Sequence, residues 1–206
     1  AGLSYDHLVF PLNFRHPPLS DREQSQERIS PKAGVIWTPL ANTAVRASYT
    51  HSLGGVSYDQ SFRLEPVKVA GFNQAFRGLI SESVVGAAAS PTFETWGAAL
   101  DQKFPTGTYA GIEAELLKSE VDRTIGVLDS IGFPPRIIAS STRQNLDYEE
   151  RVFAATLNQL IGKHWALGVR YRWSENDLAT HFSALPTSLS AGARTEQEAR
   201  LQQVNL

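Results

Sequence analysis

The run from Trp165 to Ser174 alternates without exception: Trp165, Leu167, Val169, Tyr171 and Trp173 fall on one side, and Ala166, Gly168, Arg170, Arg172 and Ser174 on the other. A period of two belongs to a β-strand. The apolar side opens and closes with tryptophan and has tyrosine near one end, as an outer-membrane strand does where its ends meet lipid headgroups. A soluble sheet rarely places two tryptophans this way. The other side carries two arginines and must face water or a wet interior. This segment predicts that the chain is part of a transmembrane β-barrel.

Bulk composition is compatible with that reading and does not by itself select it. At 206 residues, with 42% hydrophobic and 19% charged, the chain is ordinary for a folded protein. Nowhere does an apolar run approach the roughly eighteen residues of a membrane helix, so any crossing of a bilayer is expected to be made by strands. The net charge of −2, with its basic residues scattered, points to no nucleic-acid partner. Cysteine is absent, so neither a disulfide nor a thiolate metal site is expected. Methionine is absent too, and Ala1-Gly2-Leu3-Ser4-Tyr5 already reads as strand with no targeting segment before it. The expectation is an interior piece of a longer protein.

Alternating segments recur along the whole chain. They are expected at 3–10, 30–38, 43–52, 93–104, 108–127, 148–160, 165–174 and 195–206. Short turns at 39–42, 105–107 and 161–164 alternate with long connections near 11–28, 53–92, 128–146 and 175–194, the layout of barrels with tight periplasmic turns and long extracellular loops. The fold class expected is therefore all-β, an antiparallel up-and-down transmembrane β-barrel, with residues 1–206 forming a segment of about eight strands in a larger barrel.

If the alternation is right, the interior face presents Lys32, Arg46, Asp101, Glu113, Glu115, Arg170 and Arg172. As lumen-lining residues they suit a hydrated bore or a surface against a polar plug. The reading favoured by their mixed signs is that they form cross-strand charge pairs that hold the wall together. Glu113 and Glu115 share a face, yet no partner at fixed spacing argues for acid–base chemistry or a cation site. The histidines show neither His-x-His nor Glu-x-x-His spacing, and no nucleophile elbow is present. Neither an enzyme, a metal nor a cofactor is expected.

The connection at 53–92 is distinctive. After Glu65-Pro66, the residues Val69, Phe72, Phe76, Leu79 and Ile80 recur at spacings of three and four, which predicts an amphipathic helix. One reading is a helix packed as a lid. In the other, Phe72 and Phe76, with Gln74 and Arg77 beside them, line an extracellular vestibule where a ligand docks.

The stretch Ile29-Ser30-Pro31-Lys32-Ala33-Gly34-Val35-Ile36-Trp37-Thr38-Pro39, followed by Asn42-Thr43-Ala44-Val45-Arg46-Ala47-Ser48-Tyr49-Thr50-His51-Ser52, resembles the barrel of TonB-dependent outer-membrane receptors. There a Ser-Pro-Lys-x-Gly strand ends at a proline turn, and a Thr-x-Arg-Ala-x-Tyr strand then rises to a serine-rich external loop. The close match covers about twenty-five residues. It implies a 22-stranded barrel in the bacterial outer membrane, an internal plug domain, an energy-coupling periplasmic protein as partner, and uptake of a small solute. No plug domain or TonB box is found here, and Val204-Asn205-Leu206 lacks the terminal aromatic usual in such barrels. The alternatives are a structural or secretion-linked outer-membrane barrel, used for export or assembly, and a soluble β-barrel that binds a ligand.

Overall fold

The computed structural model describes residues 1–13, 19–53, 68–73, 90–162, 164–183 and 195–206. Among them the chain is all-β, with no helix. Its strands are β1 (Gly2–Asn13), β2 (Ser20–Leu40), β3 (Thr43–Leu53), β4 (Lys68–Val69), β5 (Phe72–Asn73), β6 (Thr92–Lys103), β7 (Thr108–Ile131), β8 (Arg136–Ile161), β9 (Trp165–His181) and β10 (Thr195–Asn205). Eight of these form one antiparallel sheet in the order β1-β2-β3-β6-β7-β8-β9-β10, while β4 and β5 pair only with each other. Each long strand lies beside the next long strand in the chain, an up-and-down meander. The sheet is not closed; β1 and β10 are its two edges.

Side chains sort onto the two faces by register. One cross-strand row runs Val35, Ala47, Ala98, Ala114, Phe153 and Trp173. The row behind it runs Ile36, Arg46, Ala99, Glu113, Ala154 and Arg172. Exposure follows the faces in the opposite sense to a water-soluble sheet. On the apolar face Trp37 is 61% exposed, Trp96 51%, Leu157 48% and Trp165 72%. On the polar face Ser30, Ser48, Thr50, Thr95, Ser119 and Ser174 are all buried.

Further along the strands, away from the short turns, the two faces exchange character. Phe93, Leu117, Val121, Leu146 and Tyr148 form a buried cluster on the same side as Arg46, with Leu178 packed against it. Opposite them, on the apolar face's continuation, stand Glu94, Lys118, Glu149 and Asp177. The apolar stretch on β9, Trp165 to Trp173, is about nine residues long, the length that crosses a hydrocarbon layer when tilted. Strands β7, of 24 residues, and β8, of 26, are far longer than that.

The structure departs from the sequence-based expectation in the extent of its strands. Much of the connections expected at 11–28, 128–146 and 175–194 is strand: β2 starts at Ser20, β7 and β8 meet at a turn over 132–135, and β9 continues to His181. Over 21–28 neither face is apolar, with Asp21, Glu23 and Glu27 against Arg22, Gln24 and Arg28, and over 175–181 Glu175, Asp177 and His181 take the face that is apolar from Trp165 to Trp173, so both stretches read as loop although both are strand. The helix expected from Val69 onward is absent from the described residues, where β4 and β5 form a hairpin instead. The short turns fall as expected, at 41–42, 104–107 and, among the described residues, at 162 and 164.

The buried cluster gives a direct test of the extended part. Phe93→Ala is expected to cost about 3–5 kcal/mol by removing a ring from a packed site, while Val9→Ala at a half-exposed position changes stability by no more than about 0.5 kcal/mol. Denaturant unfolding of the two variants checks the difference.

Candidate functional site

The polar face carries the candidate site. Its residues fall into three adjacent rows, because a cross-strand pair in an antiparallel sheet points both side chains to one side. The first row is Ala44, Asp101, Gly111, Thr156 and Arg170; the second contains Arg46, Glu113 and Arg172; the third contains Gly34, Ser48, Gly97, Glu115, Val152 and Ser174. All seven residues expected to line an interior, Lys32, Arg46, Asp101, Glu113, Glu115, Arg170 and Arg172, thus share one face.

Arg46 is the hub. Its Nε donates to Asp101 Oδ2 at 2.7 Å, and its second terminal nitrogen lies 3.6 Å from Glu113 Oε2. Directly across from Arg46 on β6 stands Ala99, small enough for the guanidinium to pass over it and reach β7. The remaining terminal nitrogen donates to the Ala70 carbonyl at 3.2 Å, and the guanidinium carbon sits 5.1 Å from the centre of the Phe72 ring. A planar fork with five donors suits this combination of carboxylates, carbonyl and aromatic face, which an ammonium would not reproduce. A second pair joins β8 and β9, where Arg172 stands 3.6 Å from Glu150. Glu150 also accepts a hydrogen bond of 3.2 Å from the Tyr148 hydroxyl. The charges therefore hold the wall together across strands as well as making its face hydrophilic.

The hairpin β4–β5 lies on this face. Its turn, Ala70-Gly71, takes φ of 49° and 89°, the two positive values that a tight two-residue hairpin needs. Glycine adopts this freely, and Ala70 does so at a cost of about 1–2 kcal/mol. The hairpin rests in a trough of small residues. A Cβ added at Gly34 would come 2.6 Å from Val69 Cγ1, and one at Gly97 would come 2.7 Å from the Phe72 ring. Ser48 stands between these two glycines in the same row. Phe72 is 2% exposed.

Of the loop residues expected to meet a ligand, Phe72 is thus packed against the wall under Arg46, and Gln74, Phe76 and Arg77 lie outside the described residues. Alternation alone points to none of the seat residues Gly34, Ser48 and Gly97. The available signal was a glycine inside each of two strands, which often marks a close approach by another backbone or ring.

Beside the hairpin a recess of ≈ 480 Å³ opens toward the short turns, lined by Thr43, Arg46, Asp101, Glu113, Thr156 and Arg170 among others. Hydroxyls and charges of both signs suit water or a hydrophilic solute. No group of three or more His, Cys, Asp or Glu able to hold a metal ion is found among the described residues. Compared with protein families, curated proteins and solved structures, the chain matches none.

Removing the hub has a larger expected effect than removing one of its partners. Arg46→Ala strands two carboxylates and frees the hairpin, with an expected loss of about 2 kcal/mol. Asp101 is 47% exposed, so Asp101→Asn is expected to cost less than about 1 kcal/mol. Comparison of denaturant midpoints for the two variants checks the ranking.

Proposed function

We propose that this sheet is a section of the wall of a β-barrel in a bacterial outer membrane, and that its polar face borders the path of a hydrophilic solute. The observation that carries the reading is the apolar face itself. Leu3, Ile29, Val35, Trp37, Trp96, Ile112, Leu157, Trp165 and Val204 are all between about two-fifths and three-quarters exposed, and they extend across the sheet from edge to edge. A monomer in water rarely leaves more than a few hundred Å² of contiguous apolar surface uncovered. Hydrocarbon covers such a face at no cost. The short turns at one end and the long strands with charged outer faces at the other fit tight periplasmic turns and walls that project outside the cell.

A soluble ligand-binding barrel is disfavoured by the same observation, since it would hold its apolar side chains inside and its serines and paired charges outside. The likeness of residues 29–52 to TonB-dependent receptors directs the reading toward uptake, with a plug domain and an energy-coupling periplasmic protein as partners. Membrane lipid is the partner that the wall itself requires.

Two substitutions at one depth and on opposite faces test the assignment. Leu157→Arg faces lipid in this account and is expected to cost about 2–4 kcal/mol near the midplane, whereas the neighbouring Thr156→Arg faces the bore and is expected to be close to neutral. Folding into lipid vesicles, measured as a function of urea, reads both. A neutral Leu157→Arg would contradict the membrane assignment.

A further inference from the structure

We propose that the hairpin Lys68–Asn73 is a constriction seated on the polar face, with Arg46 as its positioning residue, and that it sets the size limit for hydrophilic solutes moving along that face. The inference rests on the reading of the polar face as a bore. Strands of two residues each, as in β4 and β5, cannot hold a conformation alone. The place of this hairpin is therefore decided by the wall. The seat is built from one cross-strand row in which Gly34, Ser48 and Gly97 leave a shallow trough. Val69 and Ala70 lie over Gly34, and the Phe72 ring lies over Gly97. From the next row Arg46 closes the seat, donating to the Ala70 carbonyl and covering the Phe72 ring.

Two consequences follow from the geometry. The guanidinium of Arg46 is committed to Asp101, Glu113, the Ala70 carbonyl and Phe72, so its part in the constriction is to hold the hairpin in place. What the bore meets at this level is the hairpin's free side, where Lys68 is exposed. A polar sheet that needed only a wet surface would have no use for glycine at both Gly34 and Gly97, since valine or threonine fits a strand better.

The chain has no cysteine, which permits a clean crosslink test on the full-length protein. A Cβ at position 34 would lie 3.0 Å from that of Ala70, and a small relaxation reaches the separation of about 3.5–4.5 Å that a disulfide requires. Gly34→Cys with Ala70→Cys is expected to oxidise nearly completely in the folded protein. Adding Arg46→Ala is expected to slow that oxidation at least tenfold, and Arg46→Lys to restore it only in part. In liposomes, swelling with uncharged sugars of graded size is expected to show a larger limit for Gly97→Val than for wild type, because the side chain displaces Phe72 while suiting the strand.

A cysteine pair that stays reduced in the folded protein would overturn the seat. An unchanged sugar limit in membrane-inserted Gly97→Val, or wild type and Gly97→Val that both insert and pass no sugar, would overturn the constriction. Failure of the wild type to enter liposomes at all would instead contradict the membrane reading, and the crosslink would still report on the seat.

Discussion

A sheet that turns its tryptophans, leucines and isoleucines outward and its serines, threonines and paired charges inward is unstable in water unless something apolar covers the outward face. Main-chain groups impose no such choice, since pairing within the meander satisfies them whichever face is wet. The side chains alone decide what each face can touch. The arrangement of Trp37, Trp96, Trp165 and Trp173 on one face, with Arg46, Glu113 and Arg172 on the other, makes hydrocarbon the favourable neighbour for the first and water or protein for the second.

The exchange of faces along the strands extends the same logic. Where the outer surface leaves the apolar band, charges such as Glu94, Lys118 and Glu149 take it over, and the apolar cluster of Phe93, Leu117, Val121, Leu146 and Tyr148 moves to the other side. This gives the long strands β7 and β8 a core of their own beyond the apolar band. The polar face is in turn braced within the band by Arg46, whose contacts join β3, β6, β7 and the small hairpin.

Alternation made the faces legible in the sequence. Period two survives every change of environment, so the placement of Arg46, Asp101, Glu113, Glu115, Arg170 and Arg172 on one side could be read directly. Strand length was not legible beyond the apolar band, because 21–28 and 175–181 are strand without the apolar face that marks one. The hairpin was obscured for a different reason. Val69 and Phe72 have helical spacing, but the Ala70-Gly71 turn between them is fixed by contacts with Gly34, Gly97 and Arg46, remote residues whose proximity only the folded sheet creates. The same glycines look like ordinary small residues on a polar face until the ring that covers one of them is in view.

All 4 tryptophans of the chain lie on the apolar face, so their intrinsic fluorescence reports on what that face touches. Reconstituted into vesicles containing brominated lipid, the protein should lose most of its tryptophan emission, with little quenching by acrylamide from the aqueous phase. Strong quenching by acrylamide together with no quenching by brominated lipid would contradict the account.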